Sequence, residues 1–141
     1  MIHIIHHTHT WLSKTQIWLY NQIRFLPKNV NSYILCEQTQ NLETFPMETI
    51  HSKRDWSLLR YNLKRVLKKL GLVDFFSMVF FTPDLPKCNI LHSHFGDIGW
   101  ESLSLVKNRN IKHIVTFYGY DVNMLPKTNF RWRRRYTDLF K

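Results

Sequence analysis

Histidine, aspartate, tyrosine and glycine crowd into two short stretches, Asn89-Ile-Leu-His-Ser-His-Phe-Gly-Asp-Ile-Gly99 and Lys112-His-Ile-Val-Thr-Phe-Tyr-Gly-Tyr-Asp-Val122. Imidazoles titrate near neutrality, carboxylates accept protons, and glycines let backbone approach a ligand closely. In each stretch a short apolar segment runs into a polar elbow that contains a glycine, and an aspartate follows. Parallel strands hand over to loops in this way at the binding edge of an open α/β sheet. With a helix between the elbows, His92, His94, Asp97, Tyr118 and Asp121 share one rim, where a ligand site is expected. Gly96, Gly99 and Gly119 suit close approach to that ligand. Helix N-termini beyond each elbow favour an anion such as phosphate. Neither a Walker nor a GxGxxG fingerprint is present.

The other reactive residue types give less. His3, His6, His7 and His9 cluster near the start, and His92-x-His94 alternates along an extended segment. A metal needs three or four converging ligands, and Cys36 and Cys88, without CxxC spacing, do not complement these histidines. No metal is assigned from the sequence; a mixture of packed and ligand-facing histidines is expected. Asp121 could serve as a general base, but an aspartate at an elbow is more often an N-cap, and that role is favoured. Ser13, Ser93 and Ser102 lack the GxSxG context, which disfavours a hydrolase. Arg131 to Arg135, with Phe130, Trp132 and Tyr136 interleaved, suits either nucleic acid or a domain-closing helix.

These residues need a scaffold. The 141 residues suffice for one domain, 1–141, with a genuine core. Apolar residues at 44% and charged residues at 21% argue against disorder. The formal charge of +10 points to an anionic partner or to a merely lysine-rich composition. No basic n-region with an apolar run opens the chain. The longest apolar stretch, Phe75 to Phe81, is too short to span a bilayer. Both cysteines read as buried thiols of a reducing, cytosolic compartment.

Ile2 to His6 reads as a strand, His7 to Leu12 as a loop, and Ser13-Lys-Thr-Gln16 as a capping box opening a helix that Pro27 stops. Tyr33 to Cys36 is a second strand, completing a βαβ unit, and Glu37 to Ser52 reads as a loop. Leu59, Leu63, Val66, Leu67 and Leu70 mark one apolar helical face, and Gly71 is its C-cap. Arg60, Lys64, Arg65, Lys68 and Lys69 cover the rest of that helix. They could lie on an anionic membrane or face solvent. Between Leu72 and Thr82 the period decides between neither helix nor strand. A strand over Asn89 to His92, a helix from Ile98 to Lys107 with Asp97 as N-cap, a strand over Ile111 to Phe117 and a basic helix from Phe130 complete the chain.

On these residues the sequence resembles the N-terminal half of a family 4 glycosyltransferase of the GT-B fold, of the exopolysaccharide and colanic acid type. Ile90-Leu-His-Ser-His-Phe-Gly96 and Thr116-Phe-Tyr-Gly-Tyr-Asp-Val122 match that group's two N-domain signatures. Leu12-Ser-Lys-Thr-Gln-Ile17 is similar to its first loop, and Trp132 to Phe140 to the following helix. From Glu37 to Thr82 only the character matches. The resemblance implies a Rossmann-like open parallel sheet flanked by helices, the acceptor-binding half of an enzyme that transfers a sugar from a nucleotide-sugar. Its acceptor would be a saccharide or a lipid-linked saccharide at the inner membrane face.

Ser13, Thr15, His94, Gly96, Asp97, Tyr118, Gly119 and Asp121 would line the cleft, with no cofactor beyond the nucleotide-sugar co-substrate. The donor-binding domain, with its ExxxxxxxE motif, is absent from the sequence, so a fragment inactive alone, or one docking on a separate donor-binding chain, is expected. Tyr118 stands where the family usually has histidine, and Lys14 where it has an acidic residue. A tyrosine titrates far above neutrality, which argues against base function. The alternatives are a basic nucleic-acid-binding domain using Arg131 to Arg135 and the lysine helix, which leaves the paired elbows unexplained, or a non-catalytic partner domain.

Overall fold

The computed structural model describes residues 1–52, 57–70 and 85–141. Among them a five-stranded, all-parallel sheet runs in the order β3-β2-β1-β4-β5. Its strands are β1 (Ile2–Trp11), β2 (Val30–Thr39), β3 (Ile50–Ser52), β4 (Ile90–His94) and β5 (Lys112–Thr116). The helices are α1 (Ile17–Arg24), α2 (Leu58–Lys69), α3 (Gly96–Arg109), α4 (Tyr120–Asn123), α5 (Leu125–Thr128) and α6 (Phe130–Leu139). This is the expected α/β, Rossmann-like architecture. The sheet grows outward from β1 through β2 to β3, then resumes on the other side of β1 with β4. The strand order therefore reverses between β1 and β4, and the crevice beyond their carboxyl ends is where open α/β sheets bind ligands.

Several local expectations change. β1 runs to Trp11, so the segment from His7 is strand, not loop, paired with β2 as far as Trp11 opposite Thr39. Its run of Ile, Thr, His and Trp without a turn residue suits a pleated, half-buried surface. Likewise β2 extends to Thr39 and β3 occupies residues 50–52 within the expected loop. Ser13 does not form a capping box: its hydroxyl meets Thr15 Oγ1 at 3.1 Å, and its carbonyl accepts from the Gln16 amide across a single 3₁₀ turn. Three residues of 3₁₀ helix present no N3 amide in reach of the cap hydroxyl. α3 begins at Gly96, so Asp97 lies in its first turn rather than at its N-cap, which is Phe95. Asn110, at φ 50°, closes α3 in the left-handed conformation that asparagine tolerates.

Two cores flank the sheet. Leu19, Tyr20 and Ile23 of α1 bury Trp11, Ile34 and Cys36 on one side, with Phe45. Leu105 of α3 buries Ile5, Leu35 and Leu91 on the other. Cys36 is buried and Cys88 half-buried, both as thiols. α2 is helical as the pattern predicts, yet several of its apolar residues stay exposed: Leu59 is 82% exposed, Val66 52% and Leu70 64%, while Leu67 is half-buried. Of its cations, Arg65 is exposed, while the side chains of Arg60, Lys64, Lys68 and Lys69 lie outside the described set. Gly71 and the stretch from Leu72 to Thr82 also fall outside the described residues. No described helix is long and apolar enough to cross a membrane.

α6 closes the domain. Tyr136 is buried against Phe117 at 5.4 Å, edge to face, and Trp132 meets Trp100 of α3 at 6.1 Å. The Arg135 guanidinium sits 4.1 Å from the Trp100 ring and 4.7 Å from that of Trp132, and Arg133 Nε donates to the Pro126 carbonyl. Part of the arginine run is thus spent on packing.

Gly96 and Gly99 approach protein rather than ligand. A methyl on Gly96 would run into the Phe117 ring and lie 2.8 Å from the Tyr136 hydroxyl. One on Gly99 would lie 2.7 Å from Val115 Cγ1, where α3 presses on β5. Gly99→Ala is therefore expected to lower stability by about 1–3 kcal/mol through overpacking, read as a lower urea midpoint at unchanged m-value. An unchanged midpoint would mean that α3 is not held this close to β5.

Candidate functional site at the strand-order reversal

The crevice beyond β1 and β4 holds a cavity of about 360 Å³. β1 contributes Thr8, His9 and Thr10, the turn after it Ser13 and Gln16, and β2's end Gln40. The second elbow and the short helices after it add Tyr120, Asp121 and Leu125, and the first elbow Phe95 and Asp97. Three of the eight residues expected to line the cleft do so: Ser13, Asp97 and Asp121. His94, Gly96, Tyr118 and Gly119 lie in the same two elbows but outside the lining, as does Thr15, whose hydroxyl meets that of Ser13.

His9 Nε2 and Asp97 Oδ2 are 2.9 Å apart. Burial pushes the Asp97 carboxyl up, but the His9 hydrogen bond and charge, with the amides of Ile98 and of Asp97 itself, outweigh it and leave the group below its ordinary value. Asp97 is thus an ionised acceptor that orients the imidazole through Nε2–H, so that in the neutral ring Nδ1 carries the lone pair, the arrangement of an oriented general base. Of two further lining residues, Thr8 Oγ1 and Gln16 Oε1 are buried without a protein hydrogen-bond partner. No lysine or arginine stands among the described lining residues. Phe95 reaches the lining through a backbone φ of 89° and ψ of 144°, a conformation rarely open to a side chain that bears Cβ.

Asp121 lies inside its short helix rather than at its N-cap, which is Gly119. Its carboxylate is buried and accepts from the amides of Gly96 (2.7 Å), Tyr118 (2.8 Å) and Val122 (3.1 Å). Gly119, at φ 91°, is the cap of α4 and supplies the left-handed turn the elbow needs. Because Asp121 already occupies the first amide of α3, that helix N-terminus is filled from within, which overturns the expected phosphate cradle there.

Beside the cavity lie two histidine clusters, one on each face of the sheet. On α3's face, His113 Nε2–H donates to Ser93 Oγ (2.9 Å), and Ser93 Oγ–H donates to Ser102 Oγ (3.2 Å). Ser102 Oγ–H donates to the Ile98 carbonyl (2.8 Å), and His7 Nδ1–H also donates to Ser102 Oγ (2.8 Å). Burial, then the charge of His92, lowers His113 to about 4.

On the opposite face stand His6, His92 and His94. His6 and His92 are register partners of β1 and β4, and His94 follows two residues on, so all three point the same way. His6 Nδ1 lies 3.1 Å from His94 Nε2, His94 Nδ1 lies 2.8 Å from the Tyr118 hydroxyl, and His92 Nε2 lies 2.8 Å from Thr116 Oγ1. Burial, then the charge of His92, holds His6 at about 3. Burial, then His92 and His6, holds His94 at about 2, and burial lowers His92 as well. Tyr118 is raised above its ordinary value by burial, opposed by a hydrogen bond to Thr116 and reinforced by the Asp121 charge, so it keeps its proton. Trp18 of α1 covers its ring at 4.5 Å. The early histidines thus divide between the two faces and the cavity. Reading β1 as a ten-residue strand would have placed His9 at its carboxyl end.

No family model, no curated protein and no solved structure matches the chain.

Proposed function

We propose that this is the acceptor-side domain of a glycosyltransferase, in which the cavity beyond β1 and β4 binds a saccharide hydroxyl-rich acceptor. The composition of that cavity carries the reading. Hydroxyls, side-chain amides, one oriented His–Asp pair and the Phe95 and Tyr120 rings line it, without a lysine or arginine among its described residues. Such a lining suits a neutral polyol and leaves the charge of a nucleoside diphosphate unmatched.

In the reaction, His9 Nδ1 takes the proton from the attacking acceptor hydroxyl. The acceptor oxygen bonds to the sugar's anomeric carbon as the bond from that carbon to the nucleotide's phosphate oxygen breaks. Asp97 stabilises the imidazolium that forms. A donor-binding domain, in the same or a separate chain, supplies the nucleotide-sugar. A lipid-linked acceptor would bring the domain to a membrane, and α2, with Leu59, Val66 and Leu70 exposed beside Arg65, has the composition to rest on an anionic surface.

Titrating the full chain with neutral mono- and disaccharides, and watching the His9 imidazole by NMR, tests this. Saturable shifts are expected, with affinity weakened about tenfold by Asp97→Ala as one hydrogen bond to a charged group is lost. If no saccharide moves His9 while uridine diphosphate does, the acceptor-side reading fails.

A further inference from the structure

We propose that His6, His92 and His94 bind a single divalent transition-metal ion of the zinc class, with Tyr118 and Thr116 as the outer hydrogen-bonding partners. One nitrogen from each of the three imidazoles falls within 4.8 Å of the other two. The 3.1 Å between His6 Nδ1 and His94 Nε2 is close to the roughly 3.3 Å that separates two nitrogens on one tetrahedral zinc. An ion can therefore replace the proton these nitrogens share. Short side-chain rotations bring in His92, whose Nε2 is engaged by Thr116 and whose Nδ1 is left to ligate.

The outer hydrogen bonds suit an ion. The Tyr118 hydroxyl can accept from His94 Nδ1–H, the tautomer that leaves Nε2 bare to ligate, and Thr116 can do the same for His92 Nε2–H. All three ligands are imidazoles, which suit zinc, copper or nickel over magnesium or calcium. The half-buried His92 leaves one side of the cluster open for entry and for a fourth ligand, a water or a hydroxyl.

The ion site is independent of sugar transfer, and its test reads metal alone. The full, untagged chain is stripped with a chelator and titrated with Zn²⁺ against a chromophoric competitor. One equivalent is expected to bind, to raise the melting temperature, and, when replaced by Co²⁺, to give the intense visible absorption of a tetrahedral site. His92→Ala and His94→Asn are each expected to weaken binding by about 100-fold or more, and Tyr118→Phe by about tenfold, while His51→Ala leaves it unchanged. Should His94→Asn fail to fold, His92→Ala, at a half-buried position, decides the matter alone. Absence of stoichiometric binding to the folded wild-type chain, or binding that survives loss of His92, overturns the site.

Discussion

Asp121→Ala is expected to lower stability by about 3–5 kcal/mol, the largest effect of any single substitution in the two elbows. The carboxylate is 2% exposed and accepts three backbone amides, one of which, from Gly96, opens α3 on the other elbow. Truncation leaves these donors without their shared acceptor, and hydrogen bonds to a charged group contribute about 1.5–3 kcal/mol each. Its own carbonyl meanwhile accepts from the Tyr136 hydroxyl at 2.8 Å, so α6 hangs on the same residue. Asp121→Asn keeps one acceptor oxygen and should recover part of the loss. Urea denaturation of the three proteins checks this. A loss in the alanine variant below about 1 kcal/mol would mean that the elbows are not clasped through this side chain.

The metal-free protein is expected to lose stability steeply as the pH falls below about 6.5. In the unfolded chain histidines take up protons near that value, whereas in the fold burial holds His6 at about 3, His94 at about 2 and His113 at about 4. Between those limits the unfolded state binds more protons, so stability falls with falling pH. Each such imidazole contributes about 1.4 kcal/mol per pH unit to the slope. Asp97, held below its ordinary value, adds to the loss only in stronger acid, as its carboxylate protonates. Two or three such groups acting together exhaust a stability of ordinary size before pH 4 is reached. Melting temperatures of chelator-treated protein at pH 7, 6 and 5 should drop progressively, and His113→Asn, outside the proposed metal cluster, should flatten the slope. Melting temperatures independent of pH over this range would show that the imidazoles reach solvent in the fold.

The elbows were legible because each couples two local signals, an apolar run and a glycine–aspartate pair, and the parallel sheet followed from them. Less legible was anything set by partners far along the chain. His9 meets Asp97 and His6 meets His94 across 88 positions each, and no periodicity within β1 encodes either pairing. Ser13-Lys-Thr-Gln16 carries a capping pattern, yet the short 3₁₀ turn there never presents the geometry that the pattern serves. Asp121 has the residue type of an N-cap, but it stands inside its short helix, and its buried carboxylate takes the amides of Gly96, Tyr118 and Val122, one of them from the other elbow. The α2 periodicity fixed a helix without fixing what it packs on, since amphipathicity reports a helical face and not its cover.

Phe95 is the one residue between β4 and α3, and it holds a backbone geometry that glycine would adopt without cost. Exchange for glycine would relax the main chain there while stripping an aromatic wall from the cavity and a neighbour from Tyr118, whose ring lies 4.9 Å away. Durability and recognition thus pull in opposite directions at a single position. Selection for a tougher fold alone would erase the benzyl group first.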